Sequence, residues 1–144
     1  MKYSRKKINA HIKTAYTYAA LSYAKRLKVG ALLLKEDRII SIGYNGTTSG
    51  SDNDCEYIDK NNKMVTKKSV VHAEMNVIAF AAKNGVSTEG CTMVVTDSPC
   101  YECSKLIIQS GVKSIIYDRP YRDVTAIDYL ANNNVAIIQV KDII

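Results

Sequence analysis

Helical patterning at the start of the chain gives way to strand-like runs, then to a long stretch with no pattern. Ile8, Ile12, Ala15, Ala19 and Tyr23 recur at helical spacing, which predicts one amphipathic helix over Arg5–Leu27. Two nearly unbroken apolar runs follow, Val29–Leu34 and Arg38–Gly43, joined by Lys35-Glu36-Asp37. They predict a hairpin whose strands are covered on both faces, because a strand with one wet face would alternate. From Asn45 to Lys68 the pattern is lost. Gly46 to Asp54 consists entirely of Gly, Ser, Thr, Asn and Asp and reads as loop, and Asp59-Lys60-Asn61-Asn62-Lys63 reads so less clearly. A patternless stretch of this length inside a compact domain is usually functional or mobile.

Order returns at Val70. His72–Lys83 is predicted helical and closes at Asn84-Gly85, a helix-ending pair. Cys91–Thr96 is predicted as a strand, Tyr101–Gln109 as a helix stopped by Ser110-Gly111, and Val112–Tyr117 as a strand. Thr125–Ala131 reads as helix and Val135–Val140 as the last strand. Helices and strands that alternate with short connections predict a parallel arrangement with helices on both faces. The fold class is therefore α/β.

The length of 144 residues fits one domain, large enough to bury a core without disulfides. Hydrophobic residues at 47% and charged residues at 24% place it among globular proteins. Four cysteines in a chain of this size do not make a secreted disulfide framework. No apolar run approaches a membrane span and the N-terminus lacks a signal-peptide core, so the cytoplasm is the expected compartment. The net charge of +6 is unevenly spread. No acid precedes Glu36, whereas Lys2, Arg5, Lys6, Lys7, Lys13, Lys25, Arg26 and Lys28 crowd the early chain. That bias suits an anionic partner, either a nucleotide phosphate or a nucleic-acid backbone.

The chemistry sits in His72-Ala73-Glu74 and Pro99-Cys100-Tyr101-Glu102-Cys103. One imidazole and two thiolates are three tetrahedral zinc ligands, which leaves a fourth position for water, as in catalytic rather than structural zinc sites. Cys-x-x-Cys alone is a weak signal, shared with redox motifs and zinc ribbons. A structural zinc would need a fourth protein ligand, and Cys55, Cys91 and His11 are not at finger-like spacing. Glu74, two residues after the histidine, is placed to accept a proton from the zinc-activated water. As an acid at a helix start it also gains from the helix dipole, whatever else it does. His-x-Glu with Pro-Cys-x-x-Cys is the pattern of zinc-dependent nucleobase deaminases. His72 and Glu74 fall in the first turn of one predicted helix, Cys100 and Cys103 in the first turn of the next. Residues three apart share a helix face, so the two cysteines can converge on one ion.

Together with Val29-Gly30-Ala31, Gly43-Tyr44-Asn45-Gly46 and Lys105-Leu106-Ile107-Ile108-Gln109-Ser110-Gly111-Val112, these motifs resemble the deoxycytidylate (dCMP) deaminases, from about Val29 to about Val140. The resemblance implies a three-layer α-β-α sandwich with a five-stranded mixed sheet. It implies hydrolysis of dCMP to dUMP and ammonia, with Zn2+ held by His72, Cys100 and Cys103 and Glu74 as the proton shuttle. By the same resemblance Asn45 would hold the sugar hydroxyl, and Ala73, Ser98 and Tyr121 would contact the nucleotide. Arg26 and Lys28 would meet the 5′-phosphate. Family members are commonly homohexamers, activated by dCTP and inhibited by dTTP with Mg2+. That makes Gly46, Asp52, Asn53, Asp54 and Glu56 in the insert the expected effector residues. Some relatives carry a second, structural zinc in the insert. Here the insert offers Cys55 but no histidine, so a single zinc is expected.

Two other functions compete. A tRNA adenosine deaminase shares the zinc motif and would suit the basic charge, but the long insert before His72 and the absence of a basic C-terminal helix stand against it. A non-catalytic zinc module that binds nucleic acid would explain charge and metal, yet it leaves Glu74 idle and the fourth ligand unassigned. A small nucleotide, rather than nucleic acid or membrane, is the expected partner.

Overall fold

The computed structural model describes residues 3–121 and 123–143, so Lys2 of the basic cluster lies outside the described residues. Its main sheet has five strands in the order β2-β1-β5-β6-β7. They are β1 (Gly30–Lys35), β2 (Arg38–Tyr44), β5 (Thr92–Asp97), β6 (Ser114–Arg119) and β7 (Ala136–Gln139). β1 runs antiparallel to both β2 and β5, while β5, β6 and β7 are mutually parallel. The sheet is therefore mixed. Four helices cover it: α1 (Arg5–Ala19), α2 (Ala73–Lys83), α3 (Tyr101–Gln109) and α4 (Thr125–Asn132).

Successive strand residues point to opposite faces, and this explains the unbroken apolar runs. Ala31 and Leu33 of β1, Met93 and Val95 of β5 and Ile115 of β6 pack with Val77, Ile107 and Leu130 of the helical layer on one side. Leu32, Leu34, Val94 and Ile116 pack with Ile8, Ile12 and Ala15 of α1 on the other. Three layers result, with helices on both faces as the alternating pattern predicts. β2 departs from the expectation of double cover: it is an edge strand, largely exposed at Arg38 and Ile39 and buried only at Ser41 and Gly43.

The β1–β2 connection turns tightly, with Glu36 and Asp37 both in the left-handed region, the geometry that suits the twist of a two-residue hairpin loop. Asp37 is held there by Lys7 and by His11 Nε2 at 3.0 Å, which ties the turn to α1.

Two further sequence expectations need correction. The first helix ends at Ala19, not at Leu27. After it, Leu21 N–H donates to Tyr18 O and Ser22 N–H to Ala19 O, and the Ser22 hydroxyl accepts from Ala24 N–H while donating to Asn45 O at 2.7 Å. Tyr23, which continued the helical spacing, is exposed, while its neighbours Ser22 and Ala24 are buried in a connecting segment that is not helix. The patternless insert, in turn, contains a small hairpin of β3 (Glu56–Ile58) and β4 (Met64–Thr66). Its turn is organised by Asp59, whose Oδ1 accepts from the backbone N–H of Asn61 and Lys63, each at 2.9 Å. Three-residue strands with Tyr57, Ile58 and Met64 exposed carry no legible period.

Candidate active site

Two glycines set the distances between layers. A Cβ on Gly30 would fall onto the Ala15 carbonyl, so α1 lies directly on the start of β1. A Cβ on Gly43 would stand 3.0 Å from Val77 Cγ1 and 3.1 Å from Asn76 Cβ, so α2 presses on the end of β2. Asn76 Nδ2 donates to Tyr44 O at 2.7 Å, and the Ser41 hydroxyl to Val77 O at 2.8 Å. The first turn of α2 is thereby fixed to the sheet. Gly46 and Val71 then exchange backbone hydrogen bonds of 3.1 and 2.7 Å, which anchors the root of the insert one residue from His72.

His72 is the N-cap of α2 and Cys100 the N-cap of α3, with Cys103 in the first turn of α3. Their ligand atoms all lie within 4.8 Å of one another. His72 Nδ1 is 3.3 Å from Cys103 Sγ and 3.6 Å from Cys100 Sγ. A tetrahedral zinc with about 2.3 Å bonds to sulfur and about 2.0 Å to nitrogen needs N···S edges of about 3.5 Å. The donor set fits zinc in both chemistry and spacing. Hydrogen bonding from Cys103, then from His72, pulls the Cys100 thiol down to about 4, toward the thiolate form that binds zinc. The Cys100 contact raises His72, while the hydrogen bond to Cys100 and burial push Cys103 up.

Glu74 is only 5% exposed. Burial pushes its carboxyl up to about 7, against the opposing pull of its own backbone N–H and of His72.

Beside these groups opens a cavity of about 390 Å³. Of the residues singled out from the sequence, Arg26, Asn45, Glu56, His72, Ala73, Glu74, Ser98, Cys100 and Tyr121 line it. Cys103 lies buried behind the wall. Lys28, grouped with Arg26 in the sequence, is exposed and is not among the lining residues. Asn45 spends its amide on the backbone: Oδ1 accepts from Val29 N–H at 2.9 Å and Nδ2 donates to Leu27 O at 2.8 Å. Ser98 Oγ accepts from Tyr121 N–H at 2.6 Å, which holds Tyr121 over the opening. Asp52, Asn53 and Asp54 are exposed on the insert, whereas Glu56 is 8% exposed and turned into the cavity wall.

Asp97 and Thr66 also line the cavity and carried no sequence signal. Asp97 Oδ1 accepts from Thr96 Oγ1 and from Arg119, each at 2.8 Å. Arg119 in turn lies 5.3 Å over the Tyr16 ring. Asp97 and Arg119 are register partners on neighbouring strands but lie 22 residues apart in the chain, so no local pattern links them.

An α-β-α sandwich that places a histidine and two cysteines at two helix starts, with a buried carboxyl beside them, defines a zinc-dependent hydrolytic deaminase. Residues 5–119 match the model of the cytidine and deoxycytidylate deaminase zinc-binding region, and the chain belongs to that family. It is 34% identical to the deoxycytidylate deaminase of Enterobacteria phage T4, over 80% of this chain and 79% of that enzyme. It is 40% identical to human deoxycytidylate deaminase over 72% of this chain, but spans only 59% of the human enzyme. The crystal structure of the dCMP deaminase of cyanophage S-TIM5 in complex with dCMP and dUMP superposes with a TM-score of 0.88 at 37% identity, covering 95% of this chain and 98% of that one.

Proposed function

We propose that this chain hydrolyses dCMP to dUMP and ammonia. The observation that carries the reading is one cavity whose wall holds two of the three zinc donors, His72 and Cys100, and Glu74, together with an arginine able to meet a phosphate. Similarity to enzymes described as deoxycytidylate deaminases, one of them crystallised with dCMP and dUMP, supports the substrate.

His72, Cys100 and Cys103 would hold a zinc ion, which would supply an acidified water as the nucleophile. Glu74 takes a proton from that water and delivers it to ring N3, which makes C4 electrophilic. The oxygen bonds to C4; Glu74 then takes the remaining hydroxyl proton and passes it to N4, so that the C4–N4 bond breaks, ammonia leaves and the C4 carbonyl of dUMP forms. Glu74 is buried at the cavity wall in the first turn of the helix that His72 caps, so both transfers are shielded from bulk water. Ala73, Ser98 and Tyr121 shape the base and sugar pocket. Asn45 fixes the Leu27–Val29 backbone that forms another wall, and a remaining amide hydrogen serves the sugar hydroxyl. Arg26 meets the 5′-phosphate.

Residues 1–144 act as one domain, since both apolar layers close on a single sheet. Among the described residues no helix is long and apolar enough to cross a membrane; a cytoplasmic location is part of the same reading. Exposed Leu21, Tyr23, Met75 and Phe80 are suited to contacts in a homohexamer. The exposed acids at Asp52 and Asp54 suit a magnesium-bearing nucleoside triphosphate effector, dCTP as activator or dTTP as inhibitor.

The test is loss of the amine, followed by ultraviolet absorbance, on dCMP, deoxycytidine and a tRNA anticodon stem. Turnover with preference for dCMP is expected, and dCTP or dTTP added to the same reaction tests regulation. Turnover of the tRNA stem alone would overturn the reading.

A further inference from the structure

Arg26 reaches the cavity from the segment between α1 and β1, and both strands of the insert hairpin hold it there. Glu56 opens β3, and its Oε2 accepts from two consecutive backbone N–H groups, Lys25 at 2.8 Å and Arg26 at 3.1 Å. Thr66 closes β4, and its Oγ1 accepts from Arg26 Nη1 at 3.3 Å. All three side chains line the cavity that contains Glu74.

The chemistry of this clasp is specific. Two adjacent N–H groups converging on one oxygen favour an anionic acceptor, and a carboxylate so engaged is a fixed anchor for the backbone. The guanidinium itself is held by a neutral hydroxyl. Its charge is therefore left for a ligand, and its remaining donors are free to form a fork. Arg26 is the one Arg or Lys among the described residues lining the cavity. An acid serving an effector would be expected out on the insert surface with Asp52 and Asp54, but Glu56 is buried against the segment that carries Arg26.

We propose that Glu56 is a positioning residue for the anionic end of the substrate. It fixes the Lys25–Arg26 backbone while Thr66 aims the guanidinium, so the β3–β4 hairpin is a working wall of the substrate site. The inference rests on the reading of the substrate as a nucleoside 5′-monophosphate.

The experiment compares kcat and KM for dCMP and for deoxycytidine, which lacks the phosphate, in the wild type, Glu56→Ala, Glu56→Gln and Thr66→Val, each with zinc content measured. Glu56→Ala is expected to lower the dCMP-to-deoxycytidine ratio of kcat/KM by about tenfold, mainly through the KM for dCMP. Glu56→Gln should fall between it and the wild type, and Thr66→Val should shift the ratio the same way by a few fold. If Glu56→Ala does not fold, the other two variants carry the test. A loss equal for both substrates would make Glu56 merely structural and overturn the proposal. A wild type that shows no preference for dCMP would instead remove the phosphate from the site, and the substrate reading would fall with it.

Discussion

His72 Nδ1 lies 3.3 Å from Cys103 Sγ, although 31 residues separate them in the chain. The contact joins the starts of α2 and α3, so an ion held there ties two helices as well as preparing the chemistry. Chelation of zinc is expected to lower the thermal midpoint and abolish turnover, and added zinc should restore both. Cys103→Ser should weaken zinc binding by more than about a hundredfold, beyond the usual effect of losing an outer-shell partner. Metal titration with elemental analysis checks this, and retention of stoichiometric zinc by the variant would remove Cys103 from the ligand set.

Glu74 sits two residues from a ligand but is assigned a proton-transfer role. Glu74→Gln keeps the shape and the buried hydrogen bonding while removing the exchangeable proton. Zinc content and thermal midpoint are expected to stay near wild type, with kcat falling by about 10²–10⁴-fold. Activity within a few fold of wild type would eliminate Glu74 as the shuttle.

The zinc donors were legible in the sequence because they lie in two short motifs, each at a helix start with its own spacing. The strands were legible because a doubly covered sheet writes apolar residues at every position, as in Leu32, Leu33 and Leu34. The cavity wall was harder to read. Arg26 belongs to a segment whose apolar spacing imitated helix beyond Ala19, and it is placed by Glu56 and Thr66, thirty and forty residues away. A carboxylate that recognises backbone N–H groups leaves no side-chain pattern at its partners. Glu56 therefore reads in the sequence as one more acid of a polar insert.

Gly30 and Gly46 both belong to motifs on which the family resemblance rests, yet they should respond differently to a methyl group. At Gly30 a Cβ meets the Ala15 carbonyl and Ala19 N, backbone atoms that cannot move without shifting α1. Gly30→Ala is expected to cost about 1–3 kcal/mol, the usual range for overpacking. At Gly46 nothing lies within 4 Å of the added carbon, and Gly46→Ala should be close to neutral. Paired denaturant titrations check the contrast. Equal effects at the two sites would mean that α1 does not rest on β1 as closely as Gly30 indicates.

Asp37 couples the β1–β2 turn to α1 in a way that depends on pH. The hydrogen bond from Lys7, then that from His11, holds its carboxyl below the ordinary carboxylate range. A depressed folded-state value means that the contact stabilises the protein above the unfolded carboxyl pKa, about 4, and that the stabilisation is lost as pH falls through the folded value. Asp37→Asn preserves a residue that tolerates the left-handed turn but removes the charge. The variant should therefore melt below the wild type at pH 7, and the gap should close progressively below about pH 4. Added salt should narrow the gap at pH 7, since Lys7 is well exposed. Thermal melts at several pH values decide it: a gap that persists unchanged at low pH would assign Asp37 a purely conformational role in the turn.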